Sequence, residues 1–307
     1  MSQDIRVLRS VTEFRAYRHS LSGQGARGPI GFVPTMGALH EGHAALVRQA
    51  RQLADQGDGG GGGGGGRVVA SIFVNPTQFV PGEDYNKYPR TLEADVALLE
   101  SVGCDAVFAP SAQEMYPGLA RWSTEQSACM TSIDPGPLGN VLEGAIRPGH
   151  FRGVCSVVAK LLLITQPTHL FMGQKDYQQQ LVLRRMIEDL NFPVELVRCA
   201  TVREPDGLAL SSRNRYLSND ERRRAGAISQ SLFWAKDQWA HGERAAAVLD
   251  SGLRQRLQAQ DLEVQYAVAC QAQTLEVWKG PIAGPCVLLI AAKAGATRLI
   301  DNVVLGE

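Results

Sequence analysis

His40 and His43 stand three residues apart, where an apolar run, Ile30 to Val33, gives way through a turn containing Gly37 to a helical pattern. Ala44, Leu46, Val47, Ala50 and Leu53 recur at helical spacing, so both imidazoles fall on one side of a first helical turn. Such a turn carries unpaired backbone N–H groups and the positive end of the helix dipole, and it binds anions, phosphate above all. Imidazoles placed there add hydrogen bonds to phosphate oxygens and can lend a proton. Paired histidines also bind metals, but a zinc site needs further ligands; Glu41 is available, yet no HExxH pattern is formed.

Three further clusters carry groups of complementary kinds. Asn75 and Gln78 follow the apolar run 68–74 and offer neutral amides that suit a small hydroxylated acid; the competing reading is a turn stabilised by Asn75-Pro76. In Gly173-Gln174-Lys175-Asp176-Tyr177-Gln178-Gln179, Gly173 lets backbone approach a ligand and Lys175 brings a mobile positive charge near a helix start. Gln179 lies one helical turn beyond Lys175, so both can face one cleft, or the segment is a helix start charged for solubility. Ser211-Ser212-Arg213 sets two hydroxyls beside a guanidinium, a combination that can wrap a polyphosphate but is common in loops. Arg147 and His150, at the end of a Gly/Pro-rich excursion over 116–150, and Arg152 just beyond it read equally as anion-placing groups or as surface residues of a turn.

These clusters need a scaffold that gathers them. Strand patterns at 30–33, 68–74, 106–109, 169–172 and 194–198 alternate with helical patterns at 41–55, 91–102, 153–165 and 177–190. That order predicts an α/β fold with a Rossmann-like parallel sheet, whose ligands sit beyond the carboxyl ends of the strands. The segments 34–43, 75–79, 173–179 and 203–213 all fall just after predicted strand ends. From about residue 203 the pattern changes to helices up to about 258, opened by a Ser218/Glu221 capping box, and then strands at 263–269, 286–292 and 298–304. Two domains are expected: 1–202, catalytic, and 203–307, a smaller α+β domain. Between helix and strand lie Gly57-Asp58 and eight consecutive glycines, Gly59 to Gly66. The run precedes a strand and lacks the Lys-Ser/Thr of a P-loop, so it reads as a flexible connector.

Thirty-one basic and 31 acidic residues give zero net charge, without the basic excess of a nucleic-acid binder. No apolar run is long enough to span a bilayer, and Met1-Ser2-Gln3-Asp4 does not begin a signal peptide. The six cysteines are scattered and form no CxxC, as expected for reduced core thiols of a cytoplasmic protein.

His40-Glu41-Gly42-His43 after a strand resembles the H-x-G-H signature of the nucleotidyltransferase superfamily. Pro34–His43, Ser71–Pro76, Tyr88–Thr91, Leu142–Gly144 with Arg147–Phe151, Gly173–Gln179 and Ser211–Leu217, in that order, are together similar to the pantothenate synthetase (pantoate–β-alanine ligase) family. The likeness covers nearly the whole chain, and Thr297–Asn302 resembles the end of that family's second domain. It implies two steps: D-pantoate and ATP give pantoyl adenylate and pyrophosphate, then β-alanine displaces AMP to give pantothenate. It further implies that His43 is the proton donor and that His40, Lys175, Ser211, Ser212 and Arg213 stabilise the triphosphate. ATP contacts carry over to Met36, Gly37, Ala38, Leu39, His40, Glu41, Gly42, His43, Gly173, Gln174, Lys175, Asp176, Val202, Leu210, Ser211, Ser212 and Arg213. Pantoate contacts carry over to Gln78 and Gln179, with Gln78 bordering β-alanine. Mg2+ should bridge the phosphates; Asp95 is one candidate ligand and equally a solvated helix carboxylate. A homodimer is expected. Nucleic-acid and membrane partners are not.

The chain departs from the family pattern in having Leu210 in place of Met, Gln174 in place of Glu, and the glycine run. The first conserves volume and the second loses a charge. Two other readings compete: an adenylyltransferase acting on a nucleotide or phosphopantetheine, which has no need of both Gln78 and Gln179, and a synthetase-like RNA-binding module, which the zero net charge disfavours.

Overall fold

A computed structural model describes residues 5–23, 28–56, 65–80, 83, 85–118 and 131–306. In chain order its elements are β1 (Arg6–Leu8), α1 (Val11–Gly23), β2 (Ile30–Thr35), α2 (Glu41–Gln56), β3 (Arg67–Ile72), α3 (Leu92–Ser101), β4 (Ala106–Phe108), α4 (Ala112–Met115), α5 (Glu143–Ile146), α6 (His150–Thr165), β5 (His169–Gly173), α7 (Tyr177–Asp189), β6 (Glu195–Cys199), α8 (Asn219–Ala240), α9 (Ala246–Gln258), β7 (Glu263–Gln271), β8 (Cys286–Ala294) and β9 (Thr297–Leu305). By contact the chain forms two compact units, one of residues 1–173 and 182–199, the other of 174–181 and 200–307.

The first unit is built on six parallel strands in the order β1-β4-β3-β2-β5-β6. Strand residues alternate between two cores. Phe32, Val69, Phe108 and Leu170 pack with α1, α6 and the second half of α7, whereas Val33, Ala70, Val107 and Phe171 pack with α2 and α3. Burial on both faces explains why these strands read as unbroken apolar runs. Gly31 lets α2 lie close: a Cβ there would sit 3.0 Å from both Ala50 Cβ and Phe171 Cε2. From β2 the chain proceeds to β3 and β4 on one side, while β5 and β6 lie on the other, so the order reverses between β2 and β5. The crevice beyond the carboxyl ends at such a reversal is where open α/β sheets bind ligands. The sequence pattern missed β1 and α1; an edge strand of three residues is too short to show a period.

The second unit is an antiparallel sheet, β7-β8-β9, covered by α8 and α9 around Ile228, Leu232, Leu249, Leu253, Leu288 and Ile290. The expected Ser218/Glu221 capping box opens α8. Residues 57–64 of the glycine-rich connector and 119–130 of the Gly/Pro-rich excursion lie outside the described residues. Gly66 is described, and its N–H donates to Ala54 O at 3.1 Å.

Candidate active site

The turn that leaves β2 is fixed from outside itself. Gly37 and Ala38 have φ of +84° and +50°, left-handed values that strain a residue with a Cβ such as Ala38. Asp95, on the first turn of α3 and 2% exposed, holds the strain in place. Its carboxylate accepts from Leu39 N at 2.8 Å, from Ala38 N at 3.1 Å and from Thr91 Oγ1 at 3.2 Å. Both Asp95 oxygens are therefore engaged by the fold. This corrects the reading of Asp95 as a solvated helix carboxylate: it is a buried anchor of the histidine turn.

The two histidines cap α2 reciprocally. His40 Nδ1 accepts from Gly42 N at 3.1 Å, and His43 Nδ1 accepts from His40 N at 3.3 Å, an imidazole version of the capping box. The N–H groups of His43 and Ala44 both donate to His40 O, at 2.8 and 3.2 Å. The orphan N–H groups expected at this helix start are thus partly satisfied internally. The caps have a chemical consequence. An Nδ1 that accepts a hydrogen bond carries no proton, so in the neutral imidazole the ring proton is on Nε2. The rings lie with centroids 4.2 Å apart.

Beside this turn, at the carboxyl end of β3, is a buried amide network. Asn75 caps the 3-10 turn Pro76–Gln78 through Thr77 N, as the turn reading requires. Its Nδ2 also donates to Gln78 Oε1 at 3.0 Å and to Gly153 O at 3.2 Å, and its Oδ1 accepts from Tyr116 OH at 2.8 Å. Gln78 Nε2 reaches Met36 Sδ at 3.2 Å, which ties the amide cluster to the histidine turn. Gly153 is required where α6 passes: a Cβ there would lie 2.3 Å from Thr77 O.

The Gln78 backbone is held by a chain of groups that sequence reasoning did not assemble. Gln78 O accepts from His150 Nδ1 at 2.8 Å, His150 Nε2 faces Arg147 NH1 at 2.9 Å, and Arg147 pairs with Glu83 through two nitrogens. Burial, reinforced by the Arg147 charge, lowers the His150 pKa to about 4. Burial pushes the Glu83 carboxyl up, but the Arg147 hydrogen bonds and charge outweigh it and hold it below the usual range. His150 is thus a neutral, buried strut. Arg147 is turned to Glu83 and His150, and Arg152 is exposed. The Arg147-Pro148-Gly149-His150 string was the available signal, but Glu83, 64 residues from Arg147, gave none.

In the second unit, β9 gathers the other candidates. Asn302 Nδ2 donates to Gln174 O and Lys175 O, both at 2.9 Å. Arg203 reaches Asp301 through both terminal nitrogens, at 2.6 and 3.1 Å, and Leu210 N donates to Val202 O at 3.0 Å, closing a small hairpin that leads into Ser211. Ser211 Oγ accepts from Arg213 N at 3.3 Å and caps the 3-10 turn Ser212–Tyr216, which packs on β9. Lys175 Nζ lies 3.5 Å from Asp176 Oδ1, and Gln179 is half-buried on α7. The structure thus brings Met36–His43, Gln78 and Asp95 together in one unit, and Gln174–Asp176, Val202 and Leu210–Arg213 around β9 in the other. Gly173 ends β5, the strand beside β2.

Among the described residues no group of three His, Cys, Asp or Glu side chains could hold a metal, and no helix is long and apolar enough to cross a membrane. Cys104, Cys155, Cys199, Cys270 and Cys286 are free and buried, and burial pushes their thiols up to about 12, as suits core residues. Cys129 lies outside the described residues.

A doubly wound parallel sheet with an imidazole-capped helix start beside its reversal point defines the class: an α/β ligand-binding fold of the H-x-G-H kind. Comparison with known proteins narrows it. The family model described as pantoate-beta-alanine ligase matches residues 6–304. Pantothenate synthetase 1 of Bradyrhizobium diazoefficiens is 47% identical over 301 residues, covering 98% of each chain, and the pantothenate synthetase of Magnetococcus marinus is 50% identical over 278 residues, 90% of this chain and 89% of its own. The crystal structure of pantothenate synthetase from Thermus thermophilus superposes with a TM-score of 0.83 at 43% identity, covering 97% of this chain and 99% of that one. A Francisella tularensis pantoate-beta-alanine ligase, crystallised with beta-gamma ATP and beta-alanine, gives 0.73 at 33% identity over 98% and 97% of the two chains. The chain belongs to the pantoate–β-alanine ligase family.

Proposed function

We propose that this protein condenses D-pantoate with β-alanine at the expense of ATP. A carboxylate is a poor acyl donor because its leaving group is oxide. In the first step a pantoate carboxylate oxygen attacks the α-phosphorus, the α–β anhydride bond breaks, and pyrophosphate leaves. In the second the β-alanine amine attacks the acyl carbon, the C–O bond to phosphate breaks, AMP leaves, and the amine loses a proton. Displacement at phosphorus gains mostly from positioning and charge stabilisation.

The observation that carries this reading is the imidazole-capped turn beside a buried amide cluster, which joins donors for phosphate to donors for a hydroxy acid. His40 and His43 present Nε2–H toward the triphosphate, with His43 as proton donor to the departing pyrophosphate. Lys175, Ser211, Ser212 and Arg213 add positive charge and hydroxyls along the phosphates. The remaining ATP contacts are Met36–Gly42, Gly173, Gln174, Asp176, Val202 and Leu210, and Gln78 and Gln179 hold pantoate. Magnesium, when bound with ATP, would supply positive charge to the phosphates, and Asp95, whose oxygens accept the Ala38 and Leu39 N–H groups, is the candidate side chain beside it. We also propose a homodimer, a cytoplasmic location, and folding units 1–202 and 203–307.

Incubation with ATP, magnesium, pantoate and β-alanine, each omitted in turn, tests the reaction. Pyrophosphate release should require pantoate, and AMP formation in turnover should require β-alanine. Release with a nucleotide acceptor instead would assign the protein to a different adenylyltransferase class. Sedimentation as a monomer at micromolar concentration would refute the dimer, and limited proteolysis that, outside the glycine-rich connector, cuts elsewhere than near residue 202 would refute the division.

A further inference from the structure

We propose that Asn302 is a positioning residue for the adenylation step, an inference that rests on the role of Lys175 in the proposed reaction. Asn302 lies on the last strand, 127 residues from Lys175, and is 2% exposed. Its Nδ2 donates to the carbonyls of Gln174 and Lys175, both at 2.9 Å. Those carbonyls belong to the two peptide planes on either side of the Lys175 Cα. Peptide units are planar, so holding both fixes the two soft dihedrals of Lys175 and the direction in which its side chain departs. The Asn302 Oδ1 faces Gln174 Nε2 at 3.4 Å, which orients the amide with its nitrogen toward the carbonyls.

The strand position is itself held firmly. Asn302 N donates to Asp301 Oδ1 at 2.8 Å, and the buried Asp301 carboxylate takes the Arg203 guanidinium as a fork. Arg203 NH1 also donates to Gly207 O at 3.1 Å, inside the hairpin that leads into Ser211–Arg213. Successive strand residues point to opposite faces, so Asp301 and Asn302 together hold two separate segments. A lysine ammonium on its four-carbon stem loses little by being tethered far from its charge, but a displaced tether misaims it. A misplacement of about 1 Å in such an arrangement costs about 10²-fold in rate.

The test separates the two half-reactions. Pantoate-dependent exchange of labelled pyrophosphate into ATP reads adenylation; supplied pantoyl adenylate with β-alanine reads acyl transfer. N302A should slow the exchange about 10²-fold and leave acyl transfer within about twofold. In a K175A background the added N302A change should slow exchange no further. N302D, which sets a carboxylate against two carbonyl oxygens, should do no better than N302A. N302S keeps one donor and serves if the alanine variant does not fold; it must show the same split. Equal loss in both half-reactions, unchanged exchange, or an additive double variant would overturn the proposal. Wild-type protein without pantoate-dependent exchange would instead overturn the proposed function.

Discussion

Acid should loosen the first unit at His150 before it reaches most carboxylates. In the folded chain His150 titrates near pH 4, because burial and the facing Arg147 both oppose its charge. In the unfolded chain it takes its ordinary value, 6.5. At neutral pH both states are uncharged and the group contributes nothing. As pH falls below 6.5 the unfolded chain binds the proton first, so stability drops until the folded chain also protonates near pH 4. Integrated, the loss is about 2 kcal/mol at pH 5 and about 3 kcal/mol at pH 4. Glu83 adds a further loss in the same direction, but only at the lower end of that range, where carboxylates protonate. Glutamine at 150 isolates the histidine: its amide can donate to Gln78 O and accept from Arg147 without titrating. Urea midpoints measured at pH 7, 6 and 5 for the wild type and H150Q are the assay. The wild type should lose about 2 kcal/mol more than the variant between pH 7 and 5. Parallel curves would show that His150 is not the group that senses acid, and the strut assignment would fall with them.

Other perturbations probe the same framework. Replacing Asp95 with asparagine sets an amide NH2 or a single acceptor against the two N–H groups of the strained turn; we expect about 2 kcal/mol lower stability and about 10²-fold lower kcat/KM, and a variant with unaltered kinetics would separate the turn from catalysis. Asp250, whose carboxyl burial raises to about 6 while Ala269 N donates to it at 2.7 Å, destabilises the fold increasingly as pH rises from about 4 through 6. D250N should therefore raise the melting temperature at pH 7 but not at pH 4, and a gain of equal size at both would contradict the assignment. H43A and K175A should each slow pyrophosphate exchange about 10²-fold or more with unchanged circular dichroism, and near-normal turnover in either would refute its role.

Much of this protein was legible in its residues alone because the relevant physics is local or periodic. Unbroken apolar strands predicted a sheet covered on both faces, Ser218 and Glu221 predicted a helix start, and the residues at 34–43 and 75–79 fell where strand ends required. The imidazole capping of α2 spans three residues, so that geometry was latent in the spacing of His40 and His43. Tertiary structure decided what each side chain is used for. Asp95 had the chemistry of a metal ligand, and only its 57-residue reach to Ala38 made it the anchor of a turn. His150 had two equal readings until Glu83 and Gln78, 67 and 72 residues away, enclosed it. Asn302 carried no assigned role until β9 set it against the peptides of Lys175. Periodicity reports which face of an element is buried; which polar groups meet across the chain depends on the packing of elements far apart in sequence, and no local pattern encodes it.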